Sequence, residues 1–216
     1  MDVAAGFVGL AAGLLVAPLA DRVATNAALH EPLLRSVPRS APFWLVAAAA
    51  GLLSGLSGLV YGFTLEALVA ALFLLVLVVV TRTDLEHRLI PNAIVLPGTA
   101  IILVLRTIED PSVEWVASAV VAGLALFLAV LVYPAGLGMG DVKLAAFLGA
   151  GLGVAVIVAL FVGFFAAFVP AAVLLVRHGR RARKLGVPLG PFLALGGVVA
   201  LFWGDAILDW YRQLGN

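Results

Sequence analysis

The sequence predicts an all-α, polytopic membrane protein, in which a bundle of helices crosses a bilayer. Two features of its composition predict this class: 64% of the 216 residues are apolar and only 12% are charged, whereas a soluble domain carries about 25% charged residues. So much apolar surface cannot be buried inside a soluble fold of this length. The chain has no cysteine, which excludes disulfides, thiolate metal sites and a cysteine nucleophile. Its net charge of +1 gives no indication of nucleic-acid binding.

The apolar runs predict a single transmembrane domain over residues 1–216, with about eight crossings, one of them short. Six or seven crossings, one of them re-entrant, remain as alternatives. The basic residues after the first run, among them Arg22, Arg35 and Arg39, predict a cytoplasmic loop and therefore an N-terminus outside. The predicted crossings are 3–20, 42–60, 65–81, 90–105, 115–133, two within 142–176 that turn at 149–153, and 191 to 203 or beyond.

Charged segments between these runs complete the predicted topology. Residues 82–88 carry a string of charges that predicts a cytoplasmic end for the third crossing. The loop 106–114 is net acidic and is predicted to lie outside. The basic run from Arg177 to Lys184 must be cytoplasmic as well, and its simplest interpretation is an anchor for anionic lipids. The resulting location is the plasma membrane.

Two aspartates stand out against this apolar background. Asp141 and Lys143 follow Gly138 and Gly140 between long apolar runs, and a carboxylate at the edge of a bilayer is costly unless it has a function. Asp84 lies two crossings earlier, so both carboxylates are predicted at the same membrane face. Two adjacent carboxylates share a proton and can bind a water between them, one acting as base and the other as acid. The pair predicts an aspartic catalytic site that needs no metal.

Simpler interpretations of the same residues remain open. Asp84 has the alternative role of a solvated loop residue, and Asp141 that of a helix N-cap. Glu86 and His87 are interpreted as interfacial and not as catalytic. Paired acids also suit a small proton- or cation-coupled transporter, although transport sites lie nearer the bilayer midplane.

Three prolines are candidates for shaping the site. Pro91 is predicted in the first turn of the fourth crossing, where its missing N–H costs nothing. Pro188 and Pro191 flank Gly190 and are predicted to interrupt the final helix, leaving unpaired backbone groups that line a cavity. The alternative is an ordinary helix start with a proline in its first turn.

Three segments resemble the signatures of the type IV prepilin peptidases, a family of GxGD intramembrane aspartic proteases. They are DLEHRLIPN at 84–92, GMGDVKL at 138–144 and PLGPFLALG at 188–196. The resemblance implies that Asp84 and Asp141 are the catalytic pair. It also implies cleavage of the short basic leader of prepilins or type II secretion pseudopilins at the cytoplasmic membrane face. The residues expected to support the substrate or the site are Gly138, Gly140, Lys143, Pro91, Pro188, Gly190 and Pro191. Gly138 and Gly140 are expected to let the backbone turn tightly and to leave room for an extended substrate beside Asp141. Lys143 is expected either to act on the aspartate pair or to pair with a lipid phosphate.

The first forty residues depart from that family. Many members carry a larger cytoplasmic insert with two Cys-x-x-Cys pairs and methylate the new pilin N-terminus with S-adenosylmethionine. Here the loop 21–41 is short and has no cysteine, so the expectation is a peptidase without a structural zinc, and N-methylation is left in doubt. A signal-peptide-peptidase-like enzyme would carry tyrosine before the first aspartate, where Thr83 stands.

Overall fold

A computed structural model describes residues 2–11, 13–14, 43–133, 137–178 and 187–214. These residues form helices joined by short connections, and no strand occurs among them, which confirms the all-α prediction. The loop 21–41 and the basic residues 179–184 lie outside the described residues. The helices are α1 (3–11 and 13–14), α2 (Phe43–Tyr61), α3 (Leu65–His87), α4 (Asn92–Glu109), α5 (Glu114–Val132), α6 (Met139–Leu152), α7 (Val156–His178) and α8 (Gly190–Leu214).

Most of these helices are long and apolar enough to cross a membrane, which confirms a multi-pass helical bundle. Five stretches qualify: Leu65–His87, Asn92–Glu109, Glu114–Val132, Met139–Arg177 and Gly190–Leu214. The stretch Met139–Arg177 has 39 residues and contains α6 and α7, separated by a 3-10 turn at Gly153–Ala155. Its turn falls where the sequence predicted one, and α6 is short, with 14 residues. The number of crossings, and a separate crossing by α6, stay predictions. The orientation of the N-terminus stays a prediction.

The packing brings the end of α3, the start of α6 and the start of α8 together. Helix α3 packs against α2, α4 and α8, while α6 packs mainly against α5 and α4, and α7 against α8. In the core, Phe73 of α3 stacks on Phe147 of α6 with a ring-centroid distance of 5.0 Å and an interplanar angle of 11°. Both aromatic side chains are almost fully buried. The ring pair joins the two helices that carry the candidate aspartates.

Glycines allow several helix pairs to approach backbone to backbone. A Cβ atom on Gly149 of α6 would collide with the carbonyl oxygen of Ser118 and the backbone of Ala119 in α5. A Cβ atom on Gly196 of α8 would likewise collide with the carbonyl oxygen of Ala159 in α7. Small residues at such contacts are typical of helices that associate in lipid, where close van der Waals packing provides the attraction.

One predicted helix boundary and one predicted helix interruption differ from the structure, and both concern the candidate site. Helix α3 does not end at Thr81 but continues to His87. It ends at Arg88, whose left-handed conformation (φ 52°) lets its N–H donate to the carbonyl oxygen of Asp84. Asp84 is therefore part of a helix and is buried, which excludes the alternative of a solvated loop residue. The charged string continues the helix because its side chains find partners inside the protein.

The final helix is also not interrupted by its prolines. Helix α8 begins at Gly190 and runs without a break to Leu214, so Pro188 precedes it and Pro191 lies in its first turn. The ordinary helix start, the alternative considered above, is the correct one, because proline is tolerated where no N–H is needed. Pro91 stands immediately before α4, at its N-cap position.

We expect Gly149→Val to lower the stability of the folded bundle. The new side chain would collide with the α5 backbone, which cannot move aside as a flexible side chain could, and overpacking of this kind costs about 1–3 kcal/mol. Thermal unfolding of the purified protein in detergent measures the effect. The control is Ala100→Val, because Ala100 is exposed on α4 and the larger side chain there meets lipid. Equal unfolding temperatures for both variants would contradict the close α5–α6 approach.

Candidate active site

Asp84 lies in the last turn of α3 and points at the start of α8. It is 6% exposed, and its Oδ2 accepts a hydrogen bond of 2.9 Å from the backbone N–H of Gly190, the first residue of α8. The N-terminus of a helix carries a partial positive charge and unpaired N–H groups, which favour a carboxylate. A Cβ atom on Gly190 would lie 2.7 Å from that Oδ2, so a glycine is needed for this approach.

Asp141 is the third residue of α6, and its carboxylate is held by the start of its own helix. Its Oδ2 accepts a hydrogen bond of 3.0 Å from the backbone N–H of Gly138, the N-cap residue. The N-cap alternative is therefore half correct: Asp141 helps to cap α6 but does not occupy the N-cap position. Among the described residues, no hydrogen bond engages Oδ1 of Asp141 or Oδ1 of Asp84. Each carboxylate keeps one oxygen for another partner.

The two aspartates line a single cavity of about 210 Å³. The carboxylates are close enough to interact electrostatically. Because a water molecule occupies about 30 Å³ in the liquid, this space accommodates several waters or a short stretch of extended peptide. The cavity is bordered by Asp84, Arg88, Leu89, Ile90, Asn92, Gly138, Gly140, Asp141 and Lys143.

A lysine and an asparagine close one side of this cavity. The ammonium of Lys143, the fifth residue of α6, donates a hydrogen bond of 2.8 Å to Oδ1 of Asn92, the first residue of α4. The sequence left two partners open for Lys143, the aspartate pair or a lipid phosphate, and the observed partner is neither. Asn92 itself was missed as a site residue. The sequence feature that could have indicated Asn92 is its position directly after Pro91, at the end of the segment 84–92 that begins with Asp84.

The backbone at the two glycines before Asp141 makes no turn that requires a positive φ. We expected Gly138 and Gly140 to permit a tight turn, but Gly138 is extended (φ −97°, ψ 156°) and Gly140 has no positive φ. That expectation is wrong. A Cβ atom on Gly140 would lie 3.0 Å from Cβ of Ile90, so the glycine lets the start of α6 approach the segment between α3 and α4. Pro91, Pro188 and Pro191 do not border the cavity.

Arg88 and Lys143 border the cavity beside the two aspartates, whereas Arg82 and Glu86 pair on another face of α3. Nε of Arg82 donates to Oε1 of Glu86 at 3.2 Å, and Nε2 of His87 lies 3.8 Å from Oε2 of Glu86. Because successive helical residues are about 100° apart, residues 82 and 86 project from the face of α3 opposite to Asp84. Asp205 is also remote, since it is exposed on α8 fifteen residues beyond Gly190.

No metal site competes with this interpretation within the described residues, because they contain no group of three or more histidine or acidic side chains placed to hold an ion. The two carboxylates stand at helix ends, in the last turn of α3 and the first turn of α6. The transporter alternative prefers the middle of a crossing, so this position favours the protease interpretation. The fold and the site define a multi-pass helical membrane protein with paired aspartates at one cavity.

Comparison with known proteins identifies the family. The sequence model of the type IV leader peptidase family matches residues 71–176, a range that contains both aspartates. Relatives include the prepilin leader peptidase/N-methyltransferases of Legionella pneumophila (31% identical), Stutzerimonas stutzeri (32%) and Bacillus subtilis (34%). The chain belongs to the type IV leader peptidase family.

These alignments cover most of this chain but a smaller part of each relative. They include 70%, 80% and 73% of the chain, and 55%, 62% and 64% of the L. pneumophila, S. stutzeri and B. subtilis proteins, respectively. The chain thus spans somewhat less than two thirds of the length of these relatives. No solved structure matches the sequence. The transporter alternative gains no support from the comparisons.

Proposed function

We propose that this protein is a membrane aspartic endopeptidase that removes the short basic leader from prepilin-like proteins, either pilins or type II secretion pseudopilins. The observation that carries the proposal is the shared cavity of Asp84 and Asp141 in a chain of the leader peptidase family. The geometry suits peptide hydrolysis because each carboxylate has one oxygen held by a backbone amide and a second oxygen available for water or substrate.

In the proposed reaction, the two carboxylates share one proton and bind the attacking water. The ionised carboxylate takes a proton from the water as it attacks the scissile carbonyl carbon. The protonated carboxylate donates its proton to the carbonyl oxygen, which gives a neutral tetrahedral intermediate. The intermediate collapses when the nitrogen receives a proton from the dyad, the C–N bond breaks, and a hydroxyl group of the intermediate returns a proton to the dyad, which gives the carboxylic acid product. Because the proton belongs to the pair, no assignment of acid and base to one residue is needed.

The position of the pair agrees with a substrate that has a polar leader and an apolar helix. Both aspartates lie at helix ends, so a substrate helix in the lipid would present the end of its leader to the cavity. We place this face on the cytoplasmic side of the plasma membrane. The basic run begins at Arg177, in the last turn of α7, and the positive-inside rule assigns that end of α7 to the cytoplasmic side. The run Arg177–Lys184 then binds anionic lipid headgroups.

The proposed peptidase reaction uses neither a metal nor S-adenosylmethionine. The chain has no cysteine, so it cannot form the zinc site of two Cys-x-x-Cys pairs that many family members carry in the region of loop 21–41. The relatives are named as both peptidases and N-methyltransferases, and for this chain we propose the peptidase activity alone.

We expect Asp84→Asn and Asp141→Asn each to lower leader cleavage at least about 100-fold, because general acid–base catalysis by a positioned group contributes that much or more. The measurement is the conversion of a co-expressed prepilin to its mature form, followed by gel shift. The control is Asp209→Asn, which removes an exposed carboxylate near the end of α8 and leaves cleavage unchanged. Substantial cleavage by either single variant would disprove the catalytic pair.

We expect Gly190→Ala to slow cleavage about 10–100-fold, the size of effect that a displacement of about 1 Å produces in an active site. The added methyl group would displace the carboxylate of Asp84 and weaken its hydrogen bond to the amide of residue 190. The control is Gly98→Ala in α4, whose Cβ would meet only the ends of the Val76 and Phe147 side chains at 3.3–3.4 Å. Wild-type kcat in Gly190→Ala would show that this amide does not position the aspartate.

We expect cleavage by the purified enzyme to survive chelation and to proceed without S-adenosylmethionine. The two carboxylates activate water without a Lewis acid, so EDTA and 1,10-phenanthroline should leave the rate unchanged. Mass spectrometry of the product, with and without added S-adenosylmethionine, reports on methylation in the same assay. Inactivation by a chelator that zinc reverses would contradict the metal-independent mechanism, and a methylated product would contradict the restriction to peptidase activity.

A further inference from the structure

A second polar cluster lies at the other end of α6, around Arg106 of α4. The guanidinium is largely buried, with the residue 8% exposed. Its Nε and Nη2 both donate to the carbonyl oxygen of Gly151, at 3.2 and 3.0 Å. Its Nη1 donates to Oε2 of Glu109 at 3.0 Å, and its Cζ lies 4.9 Å from the ring centroid of Trp115. One side chain therefore joins α4, the start of α5 and the end of α6.

This contact gives the carbonyl end of α6 hydrogen-bond donors that the helix itself does not provide. The last four carbonyl groups of a helix have no partner within that helix, and Gly151 is the last residue but one of α6. On the other side of the turn, the backbone N–H of Val154 donates to Oε1 of Glu114 at 3.0 Å. Gly153, between them, has a positive φ of 57°, and a Cβ atom there would lie 2.5 Å from Oε1 of Glu114. The turn after α6 is thus held by side chains of α4 and α5.

The length of α6 shows why this contact matters for the position of the helix. With 14 residues, the helix is about 21 Å long, whereas the hydrocarbon core of a bilayer is about 30 Å thick. Helix α6 alone is therefore too short to cross that core. Gly151 is buried in the protein, where an unpaired carbonyl oxygen is costly. Arg106 lies in the candidate membrane span Asn92–Glu109, and a buried arginine in such a span is by default functional.

We infer that Arg106 is a positioning residue, which fixes the place of α6 along its own axis and thereby sets Asp141 against Asp84. Asp141 and Gly151 are ten residues apart in α6, which corresponds to about 15 Å. A helix transmits an axial shift from one end to the other, so loss of the hold on Gly151 moves Asp141. Asp84 does not follow, because its own partner is Gly190 of α8. The catalytic part of this inference rests on the proposed peptidase function.

The test needs a readout of the α6 position that does not depend on activity. The chain has no cysteine, so a single engineered pair reports without background. A Cβ atom on Gly123 of α5 would lie 3.1 Å from Cβ of Ala146 of α6, near the 3.5–4.5 Å that a disulfide requires. The combination Gly123→Cys with Ala146→Cys is oxidised in membranes, and its rate of disulfide formation is compared in the presence and absence of Arg106→Met.

The matched control is Arg212→Met. Arg212 pairs with Asp209 at 3.0 Å and a spacing of three residues, as Arg106 pairs with Glu109 at 3.0 Å, but it is exposed on α8. We expect Arg106→Met to form the disulfide several times more slowly and, without the cysteines, to lower kcat for leader cleavage at least about tenfold at unchanged KM. Arg212→Met should change neither quantity. Arg106→Lys should be intermediate, because an ammonium cannot reproduce the two parallel donors of a guanidinium.

The outcomes separate the inference from the proposed function. Unchanged disulfide formation in Arg106→Met overturns the inference, whatever happens to cleavage, and so does slower disulfide formation with unchanged cleavage. If Arg106→Met does not accumulate in the membrane, Arg106→Lys is judged by the same two readouts, and wild-type values in both overturn the inference. A wild-type protein that cleaves no prepilin defeats the proposed function. The rate of disulfide formation then still shows whether Arg106 fixes the position of α6.

Discussion

The hydrogen bond between the Gly190 amide and the Asp84 carboxylate is the interaction on which the candidate site depends. It ties the last turn of α3 to the first residue of α8 at 2.9 Å, although the two residues are 106 positions apart in the chain. A carboxylate inside a membrane protein needs partners because the surroundings do not solvate it. A helix N-terminus supplies an N–H donor and a favourable dipole without adding a second charge. The amide of Gly190 therefore holds one carboxylate oxygen of Asp84 at the edge of the cavity.

The carboxylate of Asp141 is also held by a backbone amide, but this amide belongs to its own helix. Its partner is the N–H of Gly138, in the turn that begins its own helix. One aspartate is thus held by a helix remote in sequence and the other by a residue three positions away. Both arrangements occupy one oxygen of each carboxylate, and the common cavity lies where the remaining oxygens are accessible. The site is built from helix ends, which explains how a bundle with so few polar residues provides a polar cavity.

Much of this arrangement could be predicted from the sequence. Apolar runs separated by charged or glycine-rich segments are long-range signals, so the all-α bundle, the short α6 and the turn near residue 153 followed from composition alone. Asp84 and Asp141 were predicted as a pair because an even number of crossings separates them, and the shared cavity agrees with that. The end of α3 was missed because a charged string normally marks a loop. Here Arg82 and Glu86 satisfy each other within the helix.

Other features could not be predicted because they depend on packing between distant segments. Nothing in the local sequence of Gly190 shows that its amide points at Asp84, and the two prolines beside it suggested a broken helix. The contact of Lys143 with Asn92 joins residues 51 positions apart. Arg106 belongs to a loop in the predicted topology, whereas the structure buries it in the last turn of α4. In each case one side chain or amide contacts a residue that is distant in sequence and becomes its neighbour only when the chain folds.

The stacked rings of Phe73 and Phe147 have a consequence for how movements of α6 would be felt at its two ends. Phe147 lies six residues from Asp141 and four residues from Gly151, so a rotation of α6 about the ring contact would have unequal arms. A tilt of α6 about this point moves the two ends in opposite directions. The arms measure about 9 and 6 Å at the helical rise, so a small displacement beside Gly151 is amplified about 1.5-fold beside Asp141.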